Sequence, residues 1–220
     1  MFDCDGVLVD SEIITTRAFR ALLVEMGWDI SEQECADTFI GKAFLDEWRV
    51  IYDHTGVRID HDWIVSWRVR RDAAIEAELQ PIPGAPATVR AVADAMGEAF
   101  ACVSGADRRK ISMQLRIAGL DGLFAGRVFC GTEMARSKPA PDVYLAAAAA
   151  LAVDPATMVV VEDSATGVRA GVAAGATVLG FAPIDRTYSS AEALLAAGAR
   201  GIFTDMADLP GLVLNGSAWA

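Results

Sequence analysis

Residues 2–12 read FDCDGVLVDSE (Phe2 to Glu12), and the reading of this stretch decides the fold. Asp3 and Asp5 stand two apart with the small Cys4 between them, and Gly6 follows at once. An extended backbone would turn both acids to one side, and a glycine just after them lets a strand end in a sharp turn. Two acids on one side of a strand end suit a cation site, or a nucleophile with an acid/base partner. A solvated turn fits the same four residues. A buried parallel strand runs to about five residues, yet only Met1 and Phe2 precede Asp3. The expectation is therefore that further strand residues precede Met1.

Outward from this stretch the chain is first helical. Ala18, Leu22, Leu23 and Met26 recur at helical spacing, and Gly27 closes that helix. Ser31 with Glu34 resembles a capping box for the next. Phe44, Trp48 and Ile51, then Trp63, Trp67 and Ile75, continue the pattern and read as the core of a small helical bundle. His54 and His61 have no third ligand at suitable spacing and read as surface or structural. Pro81, Pro83 and Gly84 punctuate the chain and suggest a hinge.

Beyond Gly84, strands alternate with helices. Helices are expected over 87–96, 110–118, 143–151, 166–174 and 189–197. Strands are expected over 99–103, 127–130, 157–161, 177–181 and 199–203. Near-continuous apolar strands between helices predict an α/β fold, a parallel sheet covered on both faces. Ligands bind such sheets beyond the carboxyl ends of the strands, so the polar residues there carry the function.

Four strand ends bear chemistry. The first gives Asp3, Asp5 and Gly6; the second gives Ser104, Gly105 and Ala106, a hydroxyl and a tight backbone able to face an anion. The third leads to Arg136-Ser137-Lys138-Pro139, where the proline biases Lys138 away from helix. The fourth gives Glu162 and Asp163, with Ser164 and Gly167 opening a helix. Singly, each could be a helix cap or a solvated charge. Together they bring four carboxylates to one sheet edge, where unpaired acids would repel one another. A hard divalent cation relieves that repulsion, and oxygen ligands favour magnesium.

Composition bounds the partners. The chain has 220 residues, 53% of them apolar, enough for one substantial core and a smaller second domain. A formal charge of −11 argues against non-specific binding to nucleic acid or to an anionic membrane. No apolar run is long enough to span a bilayer, and the start has no secretion-signal pattern. Four scattered cysteines with no Cys-x-x-Cys pair read as free thiols in a reducing, cytoplasmic setting.

In the order FDCDGVLVDSE, VSGA, SKPAPDVY and VVVEDSATGV, these motifs resemble the haloacid dehalogenase superfamily, in its phosphatase branch with a helical cap inserted after the first strand. The resemblance covers nearly the whole chain. It implies a Rossmann-like parallel-sheet core formed by residues 1–10 and 84–220, and a small α-helical cap over residues 11–83. By the likeness, Asp3 is the nucleophile and Asp5 the general acid. Ser104, the Gly105 backbone and Lys138 hold the phosphoryl oxygens. Asp3, the Asp5 carbonyl and Asp163 bind magnesium, with Glu162 at the edge or as a further ligand. The implied activity is hydrolysis of a small phosphorylated metabolite, a sugar phosphate or sugar-acid phosphate, by a monomer or weak homodimer. Lys42, beside Gly41 in a stretch resembling the family's substrate-facing cap loop, with Arg17 or Arg71, is the expected substrate contact from the cap.

The departures narrow the reading. Gly105 stands where many relatives carry asparagine, so one side-chain contact is missing. Asp5 is absent from the name-giving dehalogenases, which argues against dehalogenation. The resembling β-phosphoglucomutases carry a histidine shortly after the first motif, where Ile13-Ile14-Thr15-Thr16 stands here. A hydrolase is favoured; a phosphomutase is the alternative, and a catalytically silent binding protein comes third.

Overall fold

The computed structural model describes residues 1–39, 47–184 and 190–214. It divides into two compact units, Met1–Val9 with Gln80–Ala220, and Asp10–Leu79. The smaller is helical: α1 (Glu12–Glu25), α2 (Glu32–Phe39), α3 (Trp48–Thr55) and α4 (His61–Glu78). The larger runs α5 (Ala85–Met96), β1 (Cys102–Ser104), α6 (Arg108–Ile117), β2 (Val128–Cys130) and α7 (Asp142–Leu151). It continues with β3 (Val159–Glu162), α8 (Ala165–Ala173), β4 (Thr177–Phe181), α9 (Ala191–Ala196), β5 (Gly201–Phe203) and α10 (Leu209–Leu214).

The opening segment sits at the centre of the sheet. Phe2 bridges Cys102 of β1 on one side and Val161 of β3 on the other, both parallel. With the parallel pairs β1–β2, β3–β4 and β4–β5, the spatial order is β2, β1, opening segment, β3, β4, β5. Val160, Val161, Val178 and Leu179 are buried, as are Val143, Tyr144, Ala147 and Ala148 of α7, and Gly167, Val168, Ala170 and Gly171 of α8. A Cβ on Gly171 would lie 2.7 Å from Val178 Cγ2; the glycine is what lets α8 lie so close to β4. Fully burying one such aliphatic side chain stabilises by about 1.5–3 kcal/mol, which makes this layered packing the main stabilising feature of the unit.

Element ends differ from the sequence expectation where local turns win. The strand expected from Ala99 begins at Cys102, because Ala99 N–H donates to Met96 O and Phe100 N–H to Glu98 O. The strand expected from Thr157 begins at Val159: Thr157 donates to Asp154 O through its N–H and again through its hydroxyl, at 2.9 and 2.8 Å. Helix α10 was not foreseen. Residues 80–83, read from sequence with the helical insertion, pack with the sheet unit. Val9 bridges Pro81, and Ile82 N–H donates to Leu8 O at 3.0 Å.

Within the helical unit, Phe19, Leu22, Leu23, Ile30, Cys35, Phe39, Ile51 and Trp67 form the core. Phe19 meets Phe39 and Trp67 edge-on, with ring centroids 4.9 and 5.1 Å apart. Trp48, expected in this core, is exposed, and Phe44 lies outside the described residues. The capping box is present: Ser31 N–H donates to Glu34 Oε2, and Glu34 N–H to Ser31 Oγ. His54 stacks on Trp28 at 3.9 Å with the rings 8° from parallel. All four cysteines are buried, free thiols.

Candidate active site

The polar residues gather where the opening segment, β1 and β3 end. Lys138 is the pivot. Its Nζ donates to Asp3 Oδ1 at 2.8 Å, to Glu162 Oε1 at 2.6 Å and to Val103 O at 3.1 Å. Those three bonds match the three protons of an ammonium. The same Nζ lies 4.8 Å from the centroid of the Tyr144 ring, a cation–π contact. Asp3, Glu162 and the Lys138 side chain are nearly excluded from solvent.

Glu162 is fixed on both oxygens. Oε1 also accepts from Tyr144 Oη at 2.8 Å, and Oε2 accepts from Ser164 N–H and Oγ. Ser164 caps α8 by accepting from Gly167 N–H at 3.0 Å. A Cβ on Gly167 would fall 1.8 Å from Glu162 Oε1, so the first turn of α8 needs glycine to admit the carboxylate. The cap of α8 is thus Ser164, and Glu162 and Asp163 do other work.

Asp3, Glu162 and Asp163 each bring one carboxylate oxygen within 4.8 Å of the others, a grouping suited to a cation. Burial pushes the Asp3 carboxyl up to about 8; Lys138 opposes that rise, while Glu162 and Asp5 add to it. For Lys138, burial pulls downward, yet Asp3 and Glu162 raise the ammonium well above its ordinary range. The lysine is therefore charged, and it is shared by Asp3 and Glu162. The all-oxygen donor set of Asp3, Glu162 and Asp163 fits a hard divalent cation. Gly6 has φ +75°, and a Cβ there would lie 1.8 Å from Asp163 Oδ2. Only glycine lets that carboxylate lie over the turn.

Asp5 faces another element. Its Oδ1 accepts from Lys110 Nζ and from Gln114 Nε2 of α6, each at 2.7 Å. The sequence reading missed both residues, although their i, i+4 spacing on the helix that follows VSGA was the available signal. Ser104 Oγ accepts from Ala106 N–H at 3.1 Å. It does not cap α6, a task taken by Asp107, which accepts from Lys110 N–H. Gly105 lies against Gly131, where a Cβ would come 3.0 Å from Gly105 Cα.

The residues expected to reach substrate from the insertion stand differently. Arg17 pairs with Glu78. Arg71 pairs with the buried Asp72 at 2.7 Å. Lys42 lies outside the described residues.

The comparisons with known proteins identify the family. Residues 1–175 match the family described as haloacid dehalogenase-like hydrolase. The chain is similar to 6-phosphogluconate phosphatase of Escherichia coli K12, 29% identical over 183 residues, covering 82% of this chain and 80% of that one. It is also similar to hexitol phosphatase A of the same organism, 32% identical over 189 residues, covering 84% and 83%. A crystal structure of a HAD family hydrolase from Deinococcus radiodurans, with bound phosphate and sodium, superposes with a TM-score of 0.78. It is 33% identical, covering 98% of this chain and 94% of that one. Matched by that family model over residues 1–175, the chain belongs to the haloacid dehalogenase-like hydrolases.

Proposed function

We propose that this enzyme is a magnesium-dependent phosphatase of small phosphorylated metabolites, of the sugar phosphate or sugar-acid phosphate class, working through an aspartyl phosphate on Asp3. The observation that carries the reading is Lys138, held at 2.8 Å from Asp3 and 2.6 Å from Glu162 beside a third buried acid, Asp163. The phosphatase names of the two Escherichia coli relatives and the phosphate bound by the Deinococcus relative support it. The helical unit, Asp10–Leu79, acts as the cap that selects the substrate, with Lys42, Arg17 and Arg71 as the contacts to test.

Asp3 attacks phosphorus as the carboxylate, the bond from phosphorus to the leaving oxygen breaks, and Asp5 gives that oxygen its proton. Asp5 then takes a proton from water as the water attacks the aspartyl phosphate, releasing inorganic phosphate and restoring Asp3. Lys138, Ser104 and the Gly105 backbone hold the phosphoryl oxygens. Asp3, Asp163 and the Asp5 carbonyl would hold magnesium, which when bound neutralises charge on the transferring phosphoryl group. Glu162, with both oxygens already hydrogen-bonded, serves chiefly to orient Lys138.

The test is phosphate release from a panel of alkyl phosphates, including 6-phosphogluconate and hexitol phosphates, with magnesium and with chelator. Release that needs magnesium is expected. A phosphomutase would instead need a bisphosphorylated activator and free little phosphate; the absence of histidine from Ile13–Thr16 stands against it. Gly6→Ala supplies an independent check on the cation site. Its Cβ would displace the Asp163 carboxylate, and a divalent-cation titration by calorimetry is expected to show at least tenfold weaker magnesium binding, about 1.4 kcal/mol. Unchanged affinity would exclude Asp163 as a ligand.

A further inference from the structure

We propose that Lys110 and Gln114 are positioning residues for Asp5, holding its carboxyl in the geometry that proton transfer to the leaving oxygen requires. The proposal rests on the phosphatase reading above and extends it to two residues of α6. Both donors approach the same oxygen, Asp5 Oδ1, at 2.7 Å. Lys110 is 7% exposed and Gln114 0% exposed, so neither side chain is free to wander. A buried ammonium is costly to desolvate, and here it is placed against the one carboxylate assigned two successive proton transfers.

The anchors are themselves anchored. Lys110 N–H is bound by the Asp107 side chain at 3.0 Å, which fixes the first turn of α6. Gln114 Oε1 accepts from Cys4 Sγ at 3.5 Å, and that bond turns the amide nitrogen toward Asp5. Cys4 lies between the two catalytic aspartates in sequence, so the motif supplies both the acid and the group that orients one of its donors. Two donors on one oxygen stop the carboxyl plane from rotating. A misplacement of about 1 Å at a reacting group costs about 100-fold in rate.

A purely structural role, satisfying buried polar groups, predicts a loss common to all substrates. A positioning role predicts a loss that depends on the leaving group. p-Nitrophenolate departs without a proton, whereas an alkoxide needs one. The experiment measures kcat/KM, which reports the step up to leaving-group departure, for p-nitrophenyl phosphate and for the alkyl phosphate that the parent enzyme hydrolyses fastest. For Lys110→Met, a fall of about 100-fold on the alkyl phosphate and of less than about fivefold on p-nitrophenyl phosphate is expected. Gln114→Leu is expected to move the same way by about tenfold, near the lower end of a general-acid effect, and Lys110→Arg to recover most of the loss. Adding Lys110→Met to Asp5→Asn is expected to cost nothing further on the alkyl phosphate, because both act through one group.

Equal losses on the two substrates, or additive losses in the double variant, would overturn the positioning role. If Lys110→Met does not fold, the ratio of the two losses in Gln114→Leu decides the matter by the same criterion. A parent enzyme that releases phosphate from neither substrate would overturn the phosphatase reading, and this proposal with it.

Discussion

Asp3→Asn is expected to lower phosphate release by about 10,000-fold or more, the scale seen when a covalent nucleophile is removed, while the chain remains folded. Asparagine keeps the shape of the side chain and can still offer an oxygen to Lys138, which now donates to Asp3 Oδ1 at 2.8 Å. It cannot form an acyl phosphate. The same substitution is expected to raise stability in chelator, in a pH-dependent way. The Asp3 carboxyl is pushed by burial from its ordinary 3.8 up to about 8 in the folded chain. The folded state thus holds this proton more tightly than the unfolded state does, and its stability falls as pH rises from about 3.8 through about 8. Lys138, whose own range is raised, stays protonated throughout that window and contributes no slope there. Asn carries no such penalty. The difference in melting temperature, Asn minus Asp, is therefore expected to grow between pH 5 and pH 8 without metal, and to shrink when magnesium is added. A flat difference would show that Asp3 is already fully compensated by Lys138, and would remove the electrostatic case for a cation.

How far this site was legible in the sequence depends on which physical signal each residue carries. Asp3, Asp5, Ser104, Lys138, Glu162 and Asp163 could be gathered from the order of apolar strands alone, because parallel sheets present their carboxyl ends together. The direction of side chains within that edge could not. Asp3 and Asp5 read as two acids on one side of a strand, yet Asp3 meets Lys138 from the loop after β2, and Asp5 meets Lys110 and Gln114 from α6. Helix periodicity marks Lys110 and Gln114 only as neighbours on one face; burial next to a charge is a tertiary fact. Tyr144 shows no role in the sequence, since its hydroxyl reaches Glu162 across a separation of 18 residues. Strand ends were misjudged for a local reason. Apolar runs such as AFACV continue into turns whose hydrogen bonds, Ala99 to Met96 and Phe100 to Glu98, leave hydropathy unchanged.

Lys138→Met is expected to lower both stability and activity, and the two losses can be divided. Methionine matches the length of the lysine stem but leaves Asp3 and Glu162 facing each other with no ammonium between them. Glu162 is 0% exposed and retains only its neutral donors, the Tyr144 hydroxyl and Ser164. Breaking a buried pair by removing one partner costs about 3–5 kcal/mol, a large share of a typical domain's 5–15 kcal/mol. Activity is expected to fall by about 1,000-fold or more, because the phosphoryl oxygens lose their cation. Adding Glu162→Gln to Lys138→Met removes the orphaned charge while keeping the acceptor for Tyr144. The double variant is therefore expected to regain about half of the lost stability, roughly 2 kcal/mol of that 3–5, and none of the activity. Urea midpoints and phosphate release on the same four proteins (parent, both single variants and the double) measure the two quantities separately. Recovery of stability without recovery of rate would mean that Glu162 fixes Lys138 in the fold, while Lys138 alone meets the phosphoryl group. If the double variant is no more stable than Lys138→Met, the lost stability is the contact of the ammonium with the Tyr144 ring and with Val103 O, and the ion pair contributes little to holding this sheet edge together.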